Sequence, residues 1–202
     1  MSSPSTTGNA PDAAVCHCGP VPDGSLLPRE RGIMTGAVGV DVREASRADV
    51  ELLVQLRLEY IRADLADLDE RGEAAIAAQL RTWIPANLGQ RFFAEVAFVD
   101  GRAAAVAMLA VNEFPANPGF PNGLVGTVLN VWTRPPYRRR GLATAVMRHL
   151  IRTGAQLGLS RLELRSSVAA QRLYESLGFG PTPAGHLPME LRYCVPPPGP
   201  RG

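Results

Sequence analysis

Apolar and polar residues alternate from Val38 to Arg43 (VGVDVR), the period of a short strand with one face buried. The period then lengthens. Ser46 is a helix-capping residue with Asp49 three positions on, a weak form of the capping box. Leu52, Leu53, Leu56 and Tyr60 recur at helical spacing, so a helix is expected to about Asp67. A second helix is predicted from Gly72 to Trp83, stopped near Pro85. Arg91 to Val99 (RFFAEVAFV) and Arg102 to Glu113 (RAAAVAMLAVNE) read as strands joined by a hairpin turn at Asp100-Gly101. A loop with three prolines and three glycines runs from Pro115 to Gly126 and leads into the strand Gly126 to Thr133 (GTVLNVWT). Gly141 to Leu157 is an amphipathic helix, with Leu142, Val146, Leu150 and Leu157 on one face beside Met147 and Ile151. Leu162 and Leu164 alternate in a short strand. Val168 to Leu177 is a helix ended by Gly178, and a last strand is placed near Met189 to Tyr193.

The order is therefore β-α-α-β-β-β-α-β-α-β, an α/β class with a mixed sheet. The strand–helix–strand unit from Gly126 to Arg165 should be a right-handed parallel crossover. One domain, residues 39–194, is expected between two tails. Residues 1–38 have no periodicity and many breakers, and residues 195–202 read VPPPGPRG; both are expected to be disordered. Met34, just before the ordered segment, is a candidate true start.

Composition narrows the chemistry. The 202 residues are 46% hydrophobic and 20% charged, enough for one real core, and the net charge is only +2 with 6% aromatics. Nucleic-acid binding is not expected from so mild a balance. All 21 basic residues are arginine, so lysine Schiff-base chemistry and the phosphate-loop lysine are excluded. Cys16-His17-Cys18 and Cys194 fit no zinc spacing, and His17, His149 and His186 form no ligand pair, so no metal is expected. There is no Gly-x-Ser-x-Gly for a serine hydrolase. No apolar run reaches about 18 residues, so no membrane span is predicted. The N-terminus lacks a signal-peptide pattern, and the expected location is cytoplasmic.

The stretch PPYRRRGLATAVMRHL, Pro135 to Leu150, is the most informative. Three arginines in a row are usually plain surface. Here a strand ends at Thr133, two prolines turn the chain and Gly141 opens a helix. The first-turn N–H groups of that helix have no internal partner and the helix dipole stands behind them, which makes a ready anion site. Arg139, Arg140 and Gly141 can extend it into a concavity of successive N–H groups. Gly141 and Ala143 keep the approach open, Thr144 offers a hydroxyl and Arg138 a charge. Nucleotide-loop and dinucleotide fingerprints are both missing. What remains is Arg138-x-x-Gly141-x-Ala143. It resembles the pyrophosphate motif Gln/Arg-x-x-Gly-x-Gly/Ala of the GCN5-related N-acetyltransferases. Downstream, Leu173 to Phe179 (LYESLGF), with Ala170 ahead of it, closely resembles the same family's A-x-x-LYEKLGF segment. The resemblance covers about Val40 to Tyr193.

That resemblance implies a mostly antiparallel mixed sheet with splayed fourth and fifth strands, a bulge in the fourth, and flanking helices. Acetyl-CoA would be the co-substrate. Its pyrophosphate would meet the N–H groups of Arg139, Arg140, Gly141, Leu142, Ala143 and Thr144. Its pantetheine arm would lie along Val131, Trp132 and Thr133, bonded by main-chain groups of Val131 and Thr133. Ala170 and Ser167 would complete the cofactor contacts; Ser167 stands where the family often has asparagine, a departure with shorter reach. Tyr174 matches the general acid that protonates the departing thiolate, an apt role for a phenol of pKa about 10. The base is expected among Glu113, Glu95 and Glu59, with Glu113 first as the end of the neighbouring strand. Asn130 could orient the acceptor, and His186 could line its site. The acceptor would be a small-molecule or peptide amine. The acidic segment containing Asp64, Asp67, Asp69, Glu70 and Glu73 would suit a cationic one. Homodimers are common in the family, and the sequence leaves oligomeric state open. The alternative function is a non-catalytic acyl-CoA-binding sensor.

Overall fold

The computed structural model describes residues 39–64 and 68–182, all within the compact unit Thr35–Gly202. The expected tails, Met34, Cys16, His17, Cys18, Asp67, His186, the strand near Met189 to Tyr193 and Cys194 lie outside the described residues. Five strands form one sheet in the order β1-β2-β3-β4-β5. They are β1 Val40–Glu44, β2 Phe92–Val99, β3 Arg102–Glu113, β4 Leu124–Thr133 and β5 Arg161–Glu163. The first four pair antiparallel; β4 and β5 pair parallel, through the crossover helix expected between them. The helices are α1 Val50–Asp64, α2 Glu70–Asn87, α3 Leu142–Gln156 and the short α4 Gln171–Ser176.

Strand alternation divides the core into two halves. Phe92, Ala94, Val96, Val106 and Met108 face α1 and α2, where Leu53, Leu56 and Ile84 are almost wholly buried. Phe93, Ala97, Ala105, Ala107 and Leu109 face α3 and α4, against Val146, Met147, Leu150 and Tyr174. β2 and β3 are buried over nearly their whole length because both of their faces are covered.

Helix α2 overruns its expected end. Pro85 lies inside it and removes one donor, yet the helix continues to Asn87. Ile84 is 1% exposed, so the last turn is fixed by burial. Leu88 N–H also donates to Ile84 O at 2.8 Å, and Asn87 Nδ2 to Trp83 O at 2.8 Å. The helix expected over Val168 to Leu177 divides into a 3-10 turn, Val168–Ala170, and α4.

The Ser46–Asp49 box forms, and it is stronger than its sequence suggests. Asp49 Oδ2 accepts from Ser46 N–H at 2.8 Å and from its hydroxyl at 2.9 Å, while Arg43 donates to both carboxylate oxygens at 2.8 and 2.9 Å. The Arg43 guanidinium, with help from Ser46, holds the Asp49 carboxyl well below the ordinary carboxylate range. The depressed value means that its stabilisation is complete above about pH 4 and is lost as pH falls below that. Asp49→Asn should therefore cost about 1–2 kcal/mol at pH 7. Urea unfolding should show the gap between the two proteins narrowing steadily below about pH 4.

Candidate active site

After β4, a 3-10 turn at Pro135–Tyr137 leads to Arg138, and α3 begins at Leu142. Arg139 has φ of 63° and Gly141 φ of 76°, so left-handed residues bracket Arg140. Such alternation turns successive N–H groups into a concavity. The first helical bond joins Ala145 N–H to Gly141 O at 3.0 Å, which leaves the N–H groups of Leu142, Ala143 and Thr144 without helical acceptors. Glycine is needed at 141 for its backbone conformation rather than for clearance within the protein: an added Cβ would meet nothing within 4 Å. Arg138 is engaged at the end of β4. Its Nε donates to Thr133 O at 3.1 Å, and its Cζ lies 4.8 Å from the centroid of the Trp132 ring.

Beside the cradle the sheet opens. β4 and β5 are paired only from Val125 to Thr127 against Arg161 to Glu163. On its other edge β4 carries a bulge: Leu109 pairs with Val128 and Met108 with Asn130, so Leu129 is the extra residue. The extra residue reverses the alternation. Val128 packs on the α3 side, whereas Asn130 receives Arg57 of α1 and Trp132 packs with α1 and α2. Arg134 N–H donates to Ala104 O at 2.9 Å, towards β3. Backbone groups alternate along a strand, so Trp132 shares that direction and Val131 and Thr133 turn theirs away, towards the opening. The Thr133 hydroxyl is buried without a partner among the described residues.

A cavity of about 940 Å3 fills the opening. Val128 to Val131 line one wall, Glu163 to Ser167 another, and Ala170, Tyr174, Tyr60 and Asp64 close it. Tyr174 is 9% exposed, with its ring edge-on to Phe179 at 6.0 Å between centroids. Burial, and then the nearby Tyr60, push its phenol above the ordinary tyrosine value. It remains protonated throughout the neutral range. Its hydroxyl has no hydrogen bond among the described residues.

The three expected base candidates lie elsewhere. Glu113 pairs with Leu124, because antiparallel strands bring the end of β3 to the start of β4. Val131 is seven positions further along the strand than Leu124, roughly 20 Å. Glu95 is buried on the α3 side, where it accepts from Thr153 Oγ1 at 2.8 Å, and burial raises its pKa. Glu59 is ion-paired with Arg134 at 2.7 Å, which lowers its pKa and ties α1 to β4. The acidic segment also contributes less than expected. Asp69 caps α2 through Gly72 N–H at 2.8 Å, and Glu73 is bound to Arg62. Asp64 does line the cavity, and Tyr60 donates to it at 3.3 Å.

Two cavity-lining residues, Glu163 and Tyr60, and Arg57 packed against Tyr60 had no sequence signal of a site. Glu163 ends β5 where pairing stops, and Thr127 Oγ1 donates to it at 3.2 Å while accepting from Asn112 at 3.0 Å. Tyr60 read only as a core position of a helix. The alternation of Leu162 and Leu164 placed Glu163 on the opposite side, but a one-dimensional period does not show where two strands part.

Among the described residues, no helix is long and apolar enough to cross a membrane, and no group of three or more His, Cys, Asp or Glu could hold a metal. The family model of the acetyltransferase (GNAT) family matches residues 56–179, which include every cavity-lining residue except Thr182. The [ribosomal protein bS18]-alanine N-acetyltransferase of Escherichia coli K12 is 34% identical over 96 residues, 46% of this chain. The chain spans 58% of the length of that relative. A GCN5-related N-acetyltransferase from Ralstonia eutropha superposes with a TM-score of 0.63 at 28% identity, over 75% of this chain and 99% of that one. A predicted acetyltransferase from Clostridium acetobutylicum, solved with acetyl-CoA, shares the fold with a TM-score of 0.65 at 22% identity, over 76% and 96% of the two chains. The matched span holds the left-handed cradle, the bulged strand and the parted β4 and β5 together, and the chain belongs to the acetyltransferase (GNAT) family.

Proposed function

We propose that the chain is an N-acetyltransferase that moves an acetyl group from acetyl-CoA to a primary amine of a small molecule or peptide. The observation that carries this reading is the continuity of one path. An anion cradle at the start of α3 leads along the outward-facing backbone of Val131 and Thr133 into a cavity that ends at a protonated phenol with no hydrogen bond among the described residues. The residues fit acetyl-CoA chemically. N–H groups from Arg139 to Thr144 would take the pyrophosphate. The unpartnered Thr133 hydroxyl, Ser167 and Ala170 would border the pantetheine arm.

In this reading both substrates are bound together. The amine nitrogen attacks the thioester carbonyl and forms the C–N bond. The C–S bond breaks, and the Tyr174 hydroxyl gives its proton to the leaving thiolate. The attacking amine loses a proton to a carboxylate of the cavity. We assign that role to Glu163 in place of Glu113, since Glu163 lines the cavity and Thr127 fixes its Oε1. Glu163→Gln should lower kcat about a hundredfold. Glu113→Gln should leave kcat within about twofold. Steady-state rates between pH 5 and 10 make the comparison, and equal losses in the two variants would overturn the assignment. The function itself is tested by CoA release from acetyl-CoA over a panel of amines. Tight binding of acetyl-CoA with no amine-dependent release would favour a sensor instead.

A further inference from the structure

Arg57 differs from the ion-paired arginines of the fold, half-buried Arg134 and exposed Arg43. Arg134 is paired with Glu59 at 2.7 Å and Arg43 with Asp49 at 2.8 Å. Arg57 makes no ion pair among the described residues. One of its N–H groups donates to Asn130 Oδ1 at 3.0 Å, and its Cζ lies 5.7 Å from the centroid of the Tyr60 ring. Burial lowers its pKa, opposed by Tyr60 and Asp64, yet a guanidinium stays charged at neutral pH. A charge drawn out of water without a counter-charge is costly, and a bound anion relieves that cost.

Asn130 supplies the second observation. It is 1% exposed and lines the cavity. Its Oδ1 is committed to Arg57, which fixes the orientation of the amide. Its Nδ2 is therefore a buried donor, and it has no partner among the described residues. Tyr60, stacked beneath Arg57, also lines the cavity. The same cavity carries carboxylates at Asp64 and Glu163. It thus has a buried unsatisfied donor at Asn130, backed by Arg57 with Asp64 near by, and a carboxylate at Glu163 on the other wall.

We propose that the acceptor is a zwitterion, an amine with a carboxylate a few bonds away. The Arg57–Asn130 pair receives the carboxylate, and the amine enters beside Glu163 on the other wall. The donors at this end are one amide, Asn130, and the one guanidinium bonded to it, a set that suits a monoanionic carboxylate; Arg165 lies on the wall of Glu163 to Ser167. A peptide N-terminus, whose neighbouring carboxyl is an amide, lacks this anion. This inference rests on the acetyl-CoA reading above and narrows its acceptor.

The test uses bisubstrate conjugates, so that it does not depend on finding a turned-over amine. CoA sulfur is joined through –CH2–CO– to the nitrogen of glycine, β-alanine or γ-aminobutyrate, and each conjugate is paired with its carboxamide. Calorimetry on the full chain should show at least one carboxylate binding ten times or more tighter than its carboxamide. In Arg57→Gln that ratio should fall to within about twofold, with both partners still bound and the melting temperature of the free protein little changed. Equal affinities in all three pairs on the parent would overturn the zwitterion and leave the acetyl-CoA site standing. A preference that survives in Arg57→Gln would overturn the role of Arg57. Failure of all six conjugates to bind would overturn the acetyl-CoA site, and the zwitterion with it.

Discussion

Tyr174→Phe is expected to lower kcat about a hundredfold or more while leaving affinity for acetyl-CoA within about twofold of the parent. The substitution removes one oxygen and keeps the ring. The edge-on contact with Phe179 at 6.0 Å and the burial of the side chain are preserved, so stability should change little. What is lost is a proton held where a thiolate has to leave. Two features suit the parent phenol to that task. Burial raises its pKa, so the proton is present across the neutral range, and no hydrogen bond among the described residues must be broken to give it up. A thiolate of comparable basicity can then accept it in the transition state rather than depart into water. The raised pKa also sets the sign of the pH dependence: the alkaline fall of the parent's kcat should lie above the ordinary tyrosine value. Parental kcat in the Tyr174→Phe variant would reduce Tyr174 to a packing residue.

Gly141→Glu is expected to weaken acetyl-CoA binding at least about a hundredfold, the second large effect. Two costs act together. Residue 141 sits at φ of 76°, a conformation that costs an L-residue about 1–2 kcal/mol. The new carboxylate then stands at the mouth of a cradle built to receive anions, where like charges repel. The free protein should still fold, because a Cβ at this position meets nothing within 4 Å. Gly141→Ala separates the two costs: it keeps the conformational one and drops the charge. It should bind acetyl-CoA more weakly than the parent and more tightly than Gly141→Glu. Equal binding by all three proteins, measured by calorimetry, would mean that the pyrophosphate is held elsewhere.

Much of this architecture is legible in the sequence. The strand Arg102–Glu113 matches its expected bounds residue for residue, because the Asp-Gly turn marks its start and polar Asn112-Glu113 close its apolar run. α3 was equally plain, since glycine before an amphipathic run signals both a helix start and an anion site. Local signals failed where tertiary contacts decide. Pro85 reads as a stop, yet burial of Ile84 carries the helix through it. Leu129 looks like any other strand residue, and only its pairing with β3 reveals the bulge that turns Asn130 towards α1. Glu113 was placed near the reacting atoms because its strand adjoins β4; antiparallel direction puts it at the far end. Arg57 and Glu163 are 106 positions apart, and no linear pattern joins them. The carboxylate that lines the cavity and the guanidinium beside it are products of the fold.

A thermal melt of the full chain with and without acetyl-CoA is the most direct measurement. At a ligand concentration a hundred times its dissociation constant, binding to the native state alone adds about 2.7 kcal/mol. For a domain of this size that is a rise of roughly 5 to 10 °C. The cradle at the start of α3 predicts that rise in the parent and its loss in Gly141→Glu. A folded parent that shows no shift at millimolar acetyl-CoA would contradict the acetyltransferase reading.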